Sequence, residues 1–175
     1  LSPITPGFTT APSEEELAHG LGNAADHALL KMRAVARRHR EVFASLARFV
    51  AAGNTMTIIH GNHDLELYWE VVRTELSDTL AAHAGAQAAE RGAPFDREAF
   101  LAAIEYSPWF FYRDGMAYVE HGHQYDPFCS TEHVLAPISP ADPRRVVRSF
   151  AEILLRFVVR QTVGVTAAGH EQAGL

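Results

Sequence analysis

The chain has 175 residues, 47% hydrophobic and 21% charged, and its 15 Lys and Arg against 21 Asp and Glu give a formal net charge of −6. That balance suits one soluble globular domain with a real core, and it argues against a nucleic-acid partner, because phosphate backbones are met by basic surfaces. A single cysteine, Cys129, excludes an internal disulfide framework, and with no uninterrupted run of about 18 apolar residues no membrane-spanning helix is expected.

Residues 1–22 read as an irregular arm with prolines at 3, 6 and 12; within it Ser13, followed by Glu14, Glu15 and Glu16, reads as an N-cap with an acidic first turn. Asn23 opens a helical pattern that runs to about Ala52 on one apolar stripe that includes Leu29, Met32, Val35, Phe43, Leu46 and Val50. The basic cluster Arg37, Arg38, His39, Arg40 is expected on its solvated face. Gly53-Asn54 stops the helix, and Thr55 to Ile59 is β-branched and apolar, hence a strand. A helical pattern resumes after Gly61. Asp78 to Gly92 is Ala-rich and helical with a break near Gly85, and Pro94 to Ile104 forms another helix in which Asp96 can cap. Trp109 to Tyr112 is an aromatic strand, Asp114-Gly115 a hairpin turn, and Met116 to Glu120 the returning strand. Residues 128–143 form a Pro-rich connector. Asp142 and Pro143 then suit the start of a last apolar helix over 144–163, interrupted by Arg144, Arg145, Arg148, Arg156 and Arg160. That helix reads as a packing helix or as an apolar, Arg-flanked surface for a lipid, a membrane or a partner. The tail to residue 175 is expected to fray.

Ten histidines justify a search for metal chemistry. His19, His27, His39, His83 and His133 are expected to be ordinary surface or core imidazoles. Four of the others lie in two stretches of like shape, Thr57-Ile58-Ile59-His60-Gly61-Asn62-His63-Asp64 and Ala117-Tyr118-Val119-Glu120-His121-Gly122-His123. Each is an apolar run ending in ligand-type side chains, and sites in α/β sheets lie beyond the carboxyl ends of strands. If the two strands lie near each other, Asn62, His63, His121 and His123 converge on one crevice. Gly61 permits a sharp turn, and Asn62 offers an amide oxygen to a divalent metal. His63 suits proton transfer or charge stabilisation near neutral pH. Asp64 can orient an imidazole.

Gly61-Asn62-His63-Asp64, with His121 of Val119-Glu120-His121-Gly122-His123, resembles the third and fourth motifs of the calcineurin-like metallophosphoesterases. The Leu-Glu-Leu-Tyr-Trp that follows is most similar to the branch containing UDP-diacylglucosamine diphosphatases. The resemblance covers roughly residues 55–127. It implies an α/β fold, part of an αββα sandwich in which long helices pack on a small mixed sheet, filled by one metallophosphoesterase domain. It implies hydrolysis of a phosphoester or pyrophosphate bond by a metal-bound hydroxide at a two-metal site, with Mn, Fe, Zn, Co or Ni all compatible. In that scheme Asn62 and His121 ligate metal, His63 acts at the scissile phosphate with Asp64, and His60, His123 and Asp126 stand around the substrate. The expected substrate is a phosphate ester, and the apolar Arg-flanked last helix points to a nucleotide-sugar or lipid-linked one, in a protein expected to be cytoplasmic and to touch a membrane or a second copy through that helix.

The family's Asp-x-His and Gly-Asp-x-x-Asp motifs do not occur, and Gly169-His170-Glu171-Gln172 begins like its fifth motif without the second His. Since the chain opens on Leu1, the two missing motifs are expected upstream, which leaves here about half of a dinuclear site. Two other readings stay open: a binding or assembly module with a decayed site, and a mononuclear zinc site of His63, His121 and His123.

Overall fold

A computed structural model of the chain describes residues 9–162. The described residues form a mixed α/β structure in which helices dominate and strands are short. The Gly169-His170 stretch and the end of the chain lie outside them.

Helix α1, Glu14–His19, starts at a complete capping box: Ser13 Oγ accepts from the Glu16 N–H, and the Glu16 carboxylate accepts from the Ser13 N–H. Where one long helix was expected over 23–52 there are two, α2 (Ala25–Arg38) and α3 (Arg40–Ala51). The break is His39, whose φ of −108° and ψ of 34° leave the helical region. That kink lets both segments pack on α4 (Glu70–Glu90). Helix α4 runs unbroken through Gly85, contrary to the expected interruption. A Cβ at Gly85 would stand 3.3 Å from the Phe95 ring, so the glycine admits that ring instead of ending the helix. Ala47, Val50, Val72, Leu76, Leu80 and Phe100 are among the buried residues that fuse these helices into one core.

Strand β1 spans Met56–Ile59, as the β-branched run predicts. The helix expected over 94–104 is shorter: α5 covers Arg97–Ala102, capped by Asp96, whose Oδ1 accepts from the Ala99 N–H. Ile104–Ser107 is instead a strand, β2, parallel to β1 with Met56 opposite Ile104 and Ile59 opposite Ser107. The His60 N–H donates to the Ser107 carbonyl at 3.2 Å, carrying the ladder one residue past the strand. Strands β3 (Phe110–Arg113) and β4 (Ala117–Glu120) form the hairpin that Asp114-Gly115 predicts, Gly115 taking a φ of 62°. Among the described residues the strands thus make two two-stranded sheets, one parallel and one antiparallel, in place of one small mixed sheet.

The last helix differs most from expectation. Helix α6 covers only Phe150–Phe157 and is capped by Ser149, not Asp142. Residues 144–149 are occupied elsewhere. Arg145 bridges to Ala24, Val146 bridges to Ile138, and the Asn23 amide donates to the Val146 carbonyl at 2.6 Å. Asp142 spends its carboxylate on the Arg144 N–H and on the Arg144 and Arg145 side chains. Helix α6 is also turned inside out. Phe150, Ile153, Leu154 and Val158 are 42–53% exposed, whereas Arg156 is 8% exposed. No helix among the described residues is long and apolar enough to cross a membrane.

Candidate functional site

The turn after β1 is fixed by its own residues and by α4. Asp64 Oδ1 accepts from the Gly61 N–H at 2.5 Å, closing the turn on itself. A 3₁₀ turn, Leu65–Tyr68, follows with Leu65 and Leu67 buried. Arg73 of α4 donates to the carbonyls of Leu67 and Tyr68 at 2.8 and 2.6 Å and ties that turn down. Asp64 was expected to orient an imidazole; its hydrogen bond goes to the backbone of the turn, and its charge reaches His60 and His123 through space.

The second stretch arrives from the hairpin and lands on the first. A Cβ on Gly61 would lie 2.8 Å from both Cδ2 and Nε2 of His121 and 3.1 Å from Asp64 Oδ1. The His121 imidazole therefore rests on the bare backbone of Gly61, one residue before Asn62. Glycine is needed here for close approach, not for an unusual φ. Gly122, with a φ of 82°, turns the chain so that His123 enters the interior, where its ring meets that of His121 edge to face at 5.1 Å between centroids. His60, Asn62 and His123 are all buried, whereas His63, Asp64 and His121 are exposed.

Two buried imidazole nitrogens in this group, His60 Nε2 and His123 Nδ1, have no hydrogen-bond partner. Buried polar atoms left unpaired are uncommon and mark places where a ligand is missing or a function is stored. Both rings are held below the ordinary histidine range. For His60 the cause is burial, opposed by Asp64 and assisted by Arg73. For His123 it is burial and the neighbouring His121, opposed by Asp64 and Glu120. Near neutral pH both are thus uncharged, the form in which an imidazole ligates metal. The amide of Gln124 meets His123 Nε2 at 2.8 Å and orients the ring.

The remaining candidates divide. Asp126, expected beside the substrate, is exposed and its Oδ1 accepts from the Phe128 N–H, capping a local turn. His63 shares no cavity lining with His121 or His123. It lines a cavity of about 360 Å³ together with Lys31, Glu66, Glu152, Arg156 and Arg160. A larger cavity, about 620 Å³, is lined by Asn54, Thr55 and Phe95 at the amino end of β1, away from the strand ends that carry the histidines. Among the described residues no three His, Cys, Asp or Glu side chains are grouped closely enough to hold a metal ion, which the three-histidine zinc reading requires. Among the residues expected to be ordinary, His27 is fully buried: its Nε2 meets the Thr10 carbonyl at 2.8 Å and its Nδ1 the Gly22 N–H at 3.3 Å.

Sequence reading did not single out Gln124, Lys31, Glu66, Arg156 or Glu152 for the site. Only Gln124 carried a usable signal, its adjacency to His123. The others come from three segments far apart in the chain. No family model matches the chain, and comparison with curated proteins and with solved structures gives no match.

Proposed function

We propose that this chain carries part of the active site of a metal-dependent phosphoesterase, with the fold of the αββα metallophosphoesterase sandwich. The observation that carries the reading is the contact of His121 with Gly61, which brings an imidazole onto the residue before Asn62, in the motif order that the family resemblance implies. An amide oxygen and an imidazole nitrogen suit a borderline divalent ion. The group is incomplete, because the described residues assemble no three-ligand set. A divalent ion at this point supplies positive charge to a phosphoryl oxygen. What the chain itself contributes is the ligand pair Asn62 and His121 and the two buried neutral rings of His60 and His123. The exposed imidazole of His63, adjacent in sequence to Asn62, adds a group able to hold or release a proton. The substrate class is a phosphate ester, with a nucleotide-sugar or lipid-linked phosphate the preferred members.

The test is hydrolysis of bis(p-nitrophenyl) phosphate in Mn-containing buffer by the protein expressed from its complete reading frame. Asn62→Ala and His121→Ala should each lower kcat/KM by about a hundredfold or more, as loss of a direct ligand does. Full activity in either variant removes that residue from the ligand set.

A second reading, a binding or assembly module, rests on the outward apolar face of α6, since exposed apolar clusters mark contact surfaces. It predicts a folded protein that self-associates or binds vesicles and takes up no Mn or Zn; stoichiometric uptake of either metal sets it aside.

A further inference from the structure

The inverted helix α6 directs its charged side toward α1, α2 and the turn after β1, and the 360 Å³ cavity lined by His63 lies between them. That volume falls in the range of small-molecule sites, roughly 300–1,000 Å³. Burying charge is costly unless each group is paired, and here the pairing is uneven. Lys31 Nζ sits 2.5 Å from Glu66 Oε1. Arg156 donates to the carbonyls of Gly20 and Leu21, yet its buried Nε has no acceptor, and the Glu15 carboxylate is 4.0 Å away. Arg160 lines the cavity and is exposed. Glu152 faces Arg148 Nε at 3.5 Å, but that nitrogen is also without a hydrogen bond. Glu152 is therefore a largely buried carboxyl with no close ion pair, held loosely by Arg148 and, through space, by Lys31 and Arg156, beside a second carboxylate, Glu66.

We propose that this cavity binds a tetrahedral oxyanion of the phosphate or sulfate type, and that Glu152 gates it, admitting the anion as the neutral acid and opposing it as the carboxylate. The proposal rests on the phosphoesterase reading in that His63 is common to both, and it adds a place for anionic substrate groups that neither Asn62 nor His121 lines. A neutral carboxyl donates its O–H to an anion oxygen, while Lys31, Arg156 and Arg160 supply positive charge. Ionised, the same carboxyl joins Glu66 against Lys31, Arg156 and Arg160, so the positive excess shrinks and the attraction weakens. Burial and the Glu66 charge push the Glu152 carboxyl up to about 7 against the pull of Arg148, Lys31 and Arg156, so the gate works near neutral pH. His19 and His63 also line the cavity; the test isolates the part of Glu152 by substitution at that residue.

The experiment is calorimetric titration of the chelator-treated protein with sulfate, a dianion throughout the range, at pH 6 and pH 8.5. Wild type should bind at pH 6 and lose affinity by about tenfold or more at pH 8.5. Glu152→Gln, which keeps the shape and a donor, should bind at pH 8.5 within about threefold of its affinity at pH 6, with circular dichroism confirming the fold. Arg160→Ala, at an exposed position, should weaken binding at both pH values. Absence of sulfate binding at pH 6, or the same pH dependence in wild type and Glu152→Gln, overturns the proposal. Because no metal is present, failure here leaves the Asn62 and His121 assignment standing. Sulfate binding without metal-dependent hydrolysis would retain the cavity and remove the phosphoesterase reading.

Discussion

Replacing Gly61 by alanine probes the meeting of the two histidine stretches with one methyl group. The added carbon would fall 2.8 Å from Cδ2 and Nε2 of His121, against about 3.5 Å for an ordinary carbon contact, so the ring must retreat by about 0.7 Å. Gly61 does not have a positive φ, so alanine brings no backbone strain. It also restricts the unfolded chain, a gain of about 0.4–1 kcal/mol. Overpacking costs about 1–3 kcal/mol where neighbours are held, but His121 is exposed and can swing outward. The two effects nearly cancel, and net stability should change by less than about 1 kcal/mol in urea denaturation. The site should respond far more strongly, since metal ligands tolerate only about 0.2 Å of misplacement. Ring resonances of His121 should shift in Gly61→Ala, and Mn affinity should fall about tenfold or more. A folded Gly61→Ala protein with unmoved His121 resonances and unchanged Mn affinity would refute the reasoning.

The polarity of α6 predicts an inversion of the usual rules for substitution. Arg156→Met should destabilise by about 2–4 kcal/mol by stripping the Gly20 and Leu21 carbonyls of their donors, whereas Leu154→Ser should cost less than about 0.5 kcal/mol; urea denaturation of both variants decides it. Glu152, raised to about 7 from 4.5, contributes stability that is fully present below pH 4.5 and is lost as pH rises through about 7. Glu152→Gln should therefore be more stable than wild type at pH 8.5, by at most about 3 kcal/mol, and the gap should vanish by pH 4. His60 and His123 act in the opposite sense. Their folded values lie below 6.5, so their contribution is present above pH 6.5 and is lost as pH falls below it. Asp64→Asn removes a charge that favours their protonated forms, and an NMR titration should show both rings titrating lower still.

What could be read in the sequence was local. Ser13 and Asp96 cap the helices they precede, Asp114-Gly115 makes its hairpin, and Met56–Ile59 is a strand, because each depends on residues within a few positions. Ile104 reads as the last residue of the 94–104 helix and residues 105–107 carry no pattern of their own; the segment becomes a strand only by pairing with β1, 48 positions away in register. The start of α6 was misplaced for a similar reason: Asp142 and Pro143 form a sound helix opening, but Arg145 and Val146 are captured by Ala24 and Ile138. At the candidate site, the adjacency of Gly61 to Asn62 could be read directly, and the approach of His121 was legible only as a condition on two strands lying close. The cavity of Lys31, Glu66 and Glu152 had no sequence signature, since no spacing rule joins residues from α2, a 3₁₀ turn and α6.

The central claim is that Asn62 and His121 serve one ion. Substoichiometric Mn²⁺ added to isotopically labelled protein tests it most directly, because paramagnetic broadening falls steeply with distance from the ion. The side-chain amide of Asn62 and the ring of His121 should broaden together at the same Mn²⁺ concentration, and Asn62→Ala should weaken the effect on His121. Broadening of His121 while the Asn62 amide stays sharp would contradict the claim.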